Sequence, residues 1–495
     1  MATSLLERAL AALPEREVVV DDLNRSLTGG ELPAALAAER AWLARHGVER
    51  CAIAADNGVG WVVADLALHL ARHVSVPLPP AFTPAQRAHA LADAGVDSIL
   101  IDERAPTDWP PGYALVGDIA PGSGLRMLQR PQQARRASLP DGTSKITYTS
   151  GSTGAPRGVC LSALHLETVA QSLVDATAPL ALRRHLCLLP LATLLENVAG
   201  VLAPLLAGAR CIVPPPALTG IGPAGLGVPQ LLTMLTQQLP DSIILVPELL
   251  RLLVGATAQG WSPPASLRFV AVGGAVVAPA LLARAIECGL PVYEGYGLSE
   301  CCSVVCLNTP GASRVGSVGR VLPHARVRVD THGEIHVRGA TMLGYVGDVA
   351  RPVGASLATG DLGQIDADGY LYVLGRQRNV FITSFGRNVS PEWVEAEIAL
   401  EPGVAQVLVH GEGRPYAVAL IVPTRPDLDA GAIHQAVTAA NSRLPSYAQV
   451  RQWLRVPPFS ACEGLATANG RLRRDAIERH YRDTLSSLYV DALAS

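Results

Sequence analysis

The sequence predicts an α/β protein: a large amino-terminal domain of doubly wound sheets, a small β-subdomain closing it, and a small separate α+β carboxy-terminal domain. Three observations predict this. Over the first 100 residues helical stretches alternate with short β-branched or apolar runs, the pattern of parallel strands joined by crossover helices. From residue 316 the runs become short and alternate polar with apolar, as antiparallel strands do. The chain has 495 residues, roughly three domains of about 150 residues each.

Helices are expected at 32–46 and 59–73, alternating with strands at 50–54, 74–78 and 97–101. From 102 to 142 periodicity fades into proline, glycine and arginine, which reads as a long connection. Further strands are expected at 243–247, 267–272 and 292–294. The stretch 211–240 carries no charge, yet its six prolines and four glycines forbid a continuous apolar helix across a bilayer. It reads as a buried or cleft-lining irregular segment. Strands at 326–330 and 334–338 mark the β-subdomain, about 316–375, which completes an amino-terminal unit of 1–375. Residues 376–495 suit a lid domain, with helices at 391–400, 430–443 and 473–488 and strands at 404–410 and 416–422.

Composition narrows the function classes. Hydrophobic residues make up 49% and charged residues 17%, which excludes a disordered chain. A formal net charge of -3 gives no attraction to nucleic acid or anionic lipid. The nine cysteines include no CxxC pair, so neither a disulfide framework nor a zinc site is indicated, and Cys301, Cys302 and Cys306 read as small core hydrophobes. Acidic residues interrupt the amino terminus where an export signal needs a basic and then apolar run, so a cytoplasmic location is expected. Of the 40 basic residues Lys145 alone is lysine, leaving 39 arginines.

The chemistry begins at Ile146-Thr-Tyr-Thr-Ser-Gly-Ser-Thr-Gly-Ala-Pro-Arg-Gly-Val159: an apolar strand, a loop of hydroxyls and glycines, then a helix-like segment. Thr149, Ser150, Gly151, Ser152, Thr153 and Gly154 offer backbone N–H and hydroxyl donors to an anion, a phosphate cradle. The loop lacks the GxxxxGK[ST] spacing of P-loop NTPases.

This loop resembles the signature of the adenylate-forming superfamily of acyl- and aryl-CoA synthetases, luciferases and nonribosomal adenylation domains, with Pro156-Arg157-Gly158 in place of the usual Pro-Lys-Gly. Four more stretches follow in the family's order: Gly273-Gly-Ala275; Tyr293-Glu-Gly-Tyr-Gly-Leu-Ser-Glu300; Thr359-Gly-Asp-Leu-Gly363; and the run from Gly375-Arg-Gln-Arg-Asn to Glu395. Its Phe381 to Trp393 portion is most similar to the long-chain acyl-CoA synthetase branch.

The resemblance implies activation of a carboxylic acid with ATP and Mg²⁺ as an acyl-AMP, followed by transfer to a thiol. It implies nucleotide binding by the phosphate loop and by Gly274, Ala275, Glu294, Gly295, Tyr296 beside the adenine, Gly297, Ser299 at the phosphate, Asp361 on the ribose hydroxyls and Arg376. Glu300 and Thr149 would hold the metal, and Arg471 would serve adenylation where relatives carry lysine. It implies a mobile carboxy-terminal domain turning about a hinge near 376–380, with Asn379 at the hinge position. Ser384, Phe385 and Gly386 would then face the thiol acceptor, CoA or the phosphopantetheine of an acyl carrier protein.

Thr193 replaces the histidine of the family's Leu-Pro-Leu-Ala-His segment, and with Asn197, Gly273 and Leu298 it is expected to line an acid pocket without a formal cation. A neutral-tailed fatty or aryl acid fits such walls. The altered acid site and the short chain lean toward a carrier-protein acceptor and secondary-metabolite biosynthesis. Arginine is a planar fork rather than a point charge. Arg471 therefore keeps open the reading of a nucleotide- or acyl-adenylate-binding protein with impaired adenylation; an amide-forming ligase, which shares the first half-reaction and differs only in acceptor, is a further alternative.

Overall fold

The computed structural model describes every residue except 1–3, 22–24, 120–122, 132–136, 150–155, 223–224, 353, 461–462, 467–471 and 490–495. Two large sheets dominate the amino-terminal part. One has nine strands, and its parallel centre runs Val292–Leu298, Phe269–Val272, Ser242–Leu245, Arg184–Leu186, Arg210–Ile212 and Glu17–Val20. The other has eight, and its parallel centre is Thr143–Thr149, Val74–Pro77, Arg50–Ala54 and Ser98–Ile101. Antiparallel strands extend both sheets.

Helices lie between the two sheets because they are apolar around their circumference. In Val59–Ala71 the first eleven residues, through His69, are all buried, and they share one core with Val18 and Val19 of one sheet and Cys51 and Ile53 of the other. An antiparallel four-stranded sheet follows: Ala325–Val329, Glu334–Gly339, Leu357–Ile365 and Leu371–Arg376. The last part is a three-stranded sheet of Val404–His410, Ala417–Pro423 and Val450–Arg455. Pro391–Ile398 and Ala430–Asn441 cover one of its faces, and Arg474–His480 with Arg482–Ser487 cover the other.

Four expectations need correcting. The stretch 102–142 is not a bare connection: Ala114–Asp118 and Arg126–Gln129 form a hairpin on the sheet edge. Its burial pattern is too exposed to leave an apolar signature. Within 211–240 lies the helix Val228–Gln238, with Pro229 in its first turn, where a missing N–H goes unused. The phosphate-loop segment does not continue as a helix. Arg157–Ser162 returns as a strand antiparallel to Thr143–Thr149, because Val159, Cys160 and Leu161 are buried as a sheet segment. The terminal helix breaks at Tyr481 into two.

Candidate active site

Thr149, Gly273 to Ala275 and the Tyr293 to Glu300 stretch stand at the carboxyl ends of strands in the two parallel sheet centres, where open α/β sheets form their ligand crevices, while Asp361 and Arg376 lie on the antiparallel four-stranded sheet. Thr149 ends its strand and stands opposite Arg157 on the return strand. Ser150 to Gly154, and Arg471, lie outside the described residues. Gly273 follows Phe269–Val272; it is buried, while Gly274 and Ala275 are exposed at the crevice side. Gly274 has φ 82°, a left-handed conformation that glycine adopts without strain.

Val292–Leu298 carries Glu294, Gly295, Tyr296 and Gly297 and then turns through Ser299–Cys301. Gly297 has a steric reason: a Cβ there would overlap the Ser303 carbonyl of the neighbouring strand. Two residues after Glu300 the backbone holds Cys302 at φ 56° and Ser303 at φ 106°. Such strain in residues other than glycine persists where the surroundings over-determine it. It fixes where the turn bearing Glu300 points.

Asp361 is buried at the centre of a polar cluster. The Tyr296 hydroxyl donates to its Oδ2 at 2.6 Å, and the Arg376 guanidinium pairs with its Oδ1 at 2.8 Å. Asp361 and Arg376 are direct partners across adjacent strands, which explains the fixed pairing. Thr359 shapes the turn by accepting from the Asp361 amide and donating to the Ile335 carbonyl. Burial and the Asp361 carboxylate both push the Tyr296 phenol up, so it acts as a donor. Glu294 is buried, and burial pushes its carboxyl up to about 8.

Glu300 receives a contact that sequence reading missed. The Tyr345 hydroxyl donates to Glu300 Oε1 at 3.1 Å, and the Arg157 guanidinium lies 3.6 Å over the Tyr345 ring. No spacing in the sequence marks it: Tyr345 is brought to Glu300 by pairing with the phosphate-loop return strand, far along the chain. A carboxylate and a hydroxyl at Glu300 and Thr149 are hard oxygen donors, which fits Mg²⁺.

The acid-side residues divide. Thr193 is exposed at the head of the short helix Leu194–Glu196, and Leu298 is half-buried. Asn197 does not line a pocket: it is buried, its Oδ1 accepts from Lys145 Nζ at 2.6 Å, and its Nδ2 donates to Asp65 Oδ2 at 2.9 Å. Its neighbour Glu196 accepts from His185 at 3.0 Å and from the Leu189 amide at 3.0 Å. On the acceptor side, Ser384 donates its amide to the Arg414 carbonyl at 2.9 Å, and Phe385 is 76% exposed.

The profile of the AMP-binding enzyme family matches residues 6–346, and that of the AMP-binding enzyme carboxy-terminal domain matches 378–493. The chain belongs to the AMP-binding enzyme family. Among curated relatives, the long-chain-fatty-acid--CoA ligase FadD15 of Mycobacterium bovis is 29% identical over 41% of this chain and 38% of its own length. The indoleacetate--CoA ligase of Aromatoleum aromaticum is 27% identical over 79% of this chain and 76% of its own. The o-succinylbenzoate CoA synthetase of Bacillus subtilis, solved with its acyl-adenylate intermediate, superposes with a TM-score of 0.77 at 24% identity, covering 96% of this chain and 98% of that one. The same enzyme has also been solved with ATP and a magnesium ion. The adenylate-forming fold is thereby established.

Among the described residues no helix is long and apolar enough to cross a membrane.

Proposed function

We propose that this member of the AMP-binding enzyme family is an AMP-forming acid–thiol ligase, with an aryl or fatty acid, ATP and a thiol as substrates. The observation that carries the reading is the cluster of Tyr296, Asp361 and Arg376, a buried carboxylate held by the phenol and the guanidinium, with Tyr296 on the strand that turns into Glu300. Relatives aligned along most of the chain are named as aryl-acid CoA ligases, which supports an aryl acid and CoA as the acceptor.

In the first step a carboxylate oxygen of the acid attacks the α-phosphorus of ATP and pyrophosphate leaves, giving the acyl-AMP. Two anions meet there, so catalysis consists of positioning and charge neutralisation. Asp361 fixes the ribose, Tyr296 flanks the base, and the loop of Thr149 to Gly154 takes the phosphates. Glu300 and Thr149 would hold Mg²⁺, which neutralises phosphate charge when bound. Arg471 would clamp the carboxylate and phosphate edge. In the second step the acceptor sulfur, having lost its proton, attacks the acyl carbonyl and AMP leaves. The carboxy-terminal domain turns near 376–380 between the steps, bringing Ser384, Phe385 and Gly386 to the thiol.

The test is acid-dependent pyrophosphate release with ATP and Mg²⁺ over a panel of aryl and fatty acids, followed by mass spectrometry after adding CoA or holo-carrier protein. Release and an acyl-CoA mass support the reading. An acyl-carrier mass without acyl-CoA moves the acceptor to a carrier protein, and an amide mass with added amines moves it to nitrogen. ATP binding without release from any acid overturns the proposal in favour of an adenylate-binding protein, and Arg471→Lys would then restore turnover.

A further inference from the structure

We propose that Tyr345 is a positioning residue that holds Glu300 in its metal-binding orientation, and that Arg157 acts on Glu300 through it; this rests on the assignment of Glu300 to the metal. The contacts form a chain. Arg157 leaves the phosphate loop, opposite Thr149. Its guanidinium stacks on the Tyr345 ring at 3.6 Å and pairs with Asp348 at 3.0 Å. The Tyr345 hydroxyl reaches Glu300 Oε1 at 3.1 Å, leaving Oε2 unengaged among the described residues. The backbone reinforces the same geometry: the Met342 amide donates to the Glu300 carbonyl at 2.7 Å, Tyr345 pairs with Val159 of the return strand, and the Val346 amide donates to the Gly158 carbonyl at 2.9 Å.

The same chain explains why arginine serves at 157. A planar guanidinium can stack face to face on a tyrosine while still pairing with a carboxylate, which a compact ammonium on a flexible stem cannot reproduce. Arg157 is thus engaged by Tyr345 and Asp348. A hydrogen bond to a metal-ligating carboxylate fixes which oxygen faces the ion, and loss of such a partner typically weakens metal binding about 10–100-fold.

The experiment compares calorimetric affinities for α,β-methylene-ATP with and without Mn²⁺, their ratio isolating the metal. Glu300→Gln is expected to lower that ratio at least tenfold, and Tyr345→Phe about tenfold with its thermal midpoint close to the parent's. Arg157→Met should also lower it, but add little on top of Tyr345→Phe, because both changes cut one chain. If Glu300→Gln lowers the ratio and Tyr345→Phe does not, the positioning role is overturned while the metal assignment stands. If neither does, the assignment of Glu300 falls and the positioning role with it. Additive losses from Arg157→Met and Tyr345→Phe would show that Arg157 acts independently of Tyr345.

Discussion

Glu39 is a glutamate with no exposure and, among the described residues, no hydrogen-bond partner for either carboxylate oxygen, on the helix Glu31–Arg45. Burial alone pushes its carboxyl up to about 7 from an ordinary 4.5. A raised folded value means the group's contribution to stability is fully present below 4.5 and is lost as pH rises through 7. Above that range ionisation costs about 3 kcal/mol. Glu39→Gln should therefore flatten the loss of stability between pH 5 and about 8, and Glu39→Leu should raise the thermal midpoint at pH 8, as read by calorimetry over pH. Glu294 follows the same sign beside the crevice, with its carboxyl up to about 8. Nucleotide affinity measured by calorimetry should weaken as pH rises past that value, and Glu294→Gln should remove the dependence. Glu294 was named in the sequence for its motif, not for its burial; Glu39 lies in no motif, and only packing reveals that among the described residues no partner reaches it.

At the scale of elements the sole lysine is the informative side chain. Lys145, only 2% exposed, lies on the strand that leads into the phosphate loop; its ammonium bonds both oxygens of Asp65 on the helix Val59–Ala71 at 2.7 Å, and Asn197 where the helix turns into a π-type segment. Burial works to raise the Asp65 carboxyl, but Lys145, Asn197 and Ser75 together bring it below the ordinary value. Every other basic residue is arginine, and at this one position a compact charge fits three oxygens in a closed space. Lys145→Met should destabilise by about 3–5 kcal/mol by leaving Asp65 buried and unpaired, whereas Lys145→Met with Asp65→Leu should recover most of it. Denaturant titration of the three proteins decides this. The elements themselves were legible wherever one face is buried: the alternation that places Arg50–Ala54 and Val74–Pro77 on parallel strands is the hydrophobic period itself. The exposed hairpin at Ala114–Asp118 has no such period. Asp361, Tyr296 and Glu300 could be named as candidates because they stand in stretches that resemble the family's motifs. Asn197 was misplaced and Tyr345 missed because a side chain's direction depends on packing partners far along the chain, Asp65 for one and Glu300 for the other.

The molecule as a whole is held in one arrangement by a small contact between its two main parts. Leu400, at the end of the first carboxy-terminal helix, joins the amino-terminal core that includes Leu249, Leu250 and Leu253, and Arg251 donates to the Ala399 carbonyl at 2.8 Å. Nearby, Asn379 bonds the Glu392 carboxylate and donates its amide to the Arg376 carbonyl at 2.9 Å, while Gln377 still bonds Gly360 at 2.9 Å. In this arrangement the Ser384 amide bonds the Arg414 carbonyl of its own domain and Phe385 is exposed, so on the proposed two-step reading the acceptor loop faces solvent rather than the crevice. Weakening the contact should shift the population toward the turned state. Leu400→Ala with Arg251→Met is therefore expected to slow acid-dependent pyrophosphate exchange severalfold, leave thioester formation from supplied acyl-AMP unchanged or faster, and speed proteolytic cleavage near 376–380. The individual cores should keep their thermal midpoints, because each domain's other apolar contacts are untouched. Equal slowing of both half-reactions would mean that the contact serves folding of the pair rather than the choice between its states.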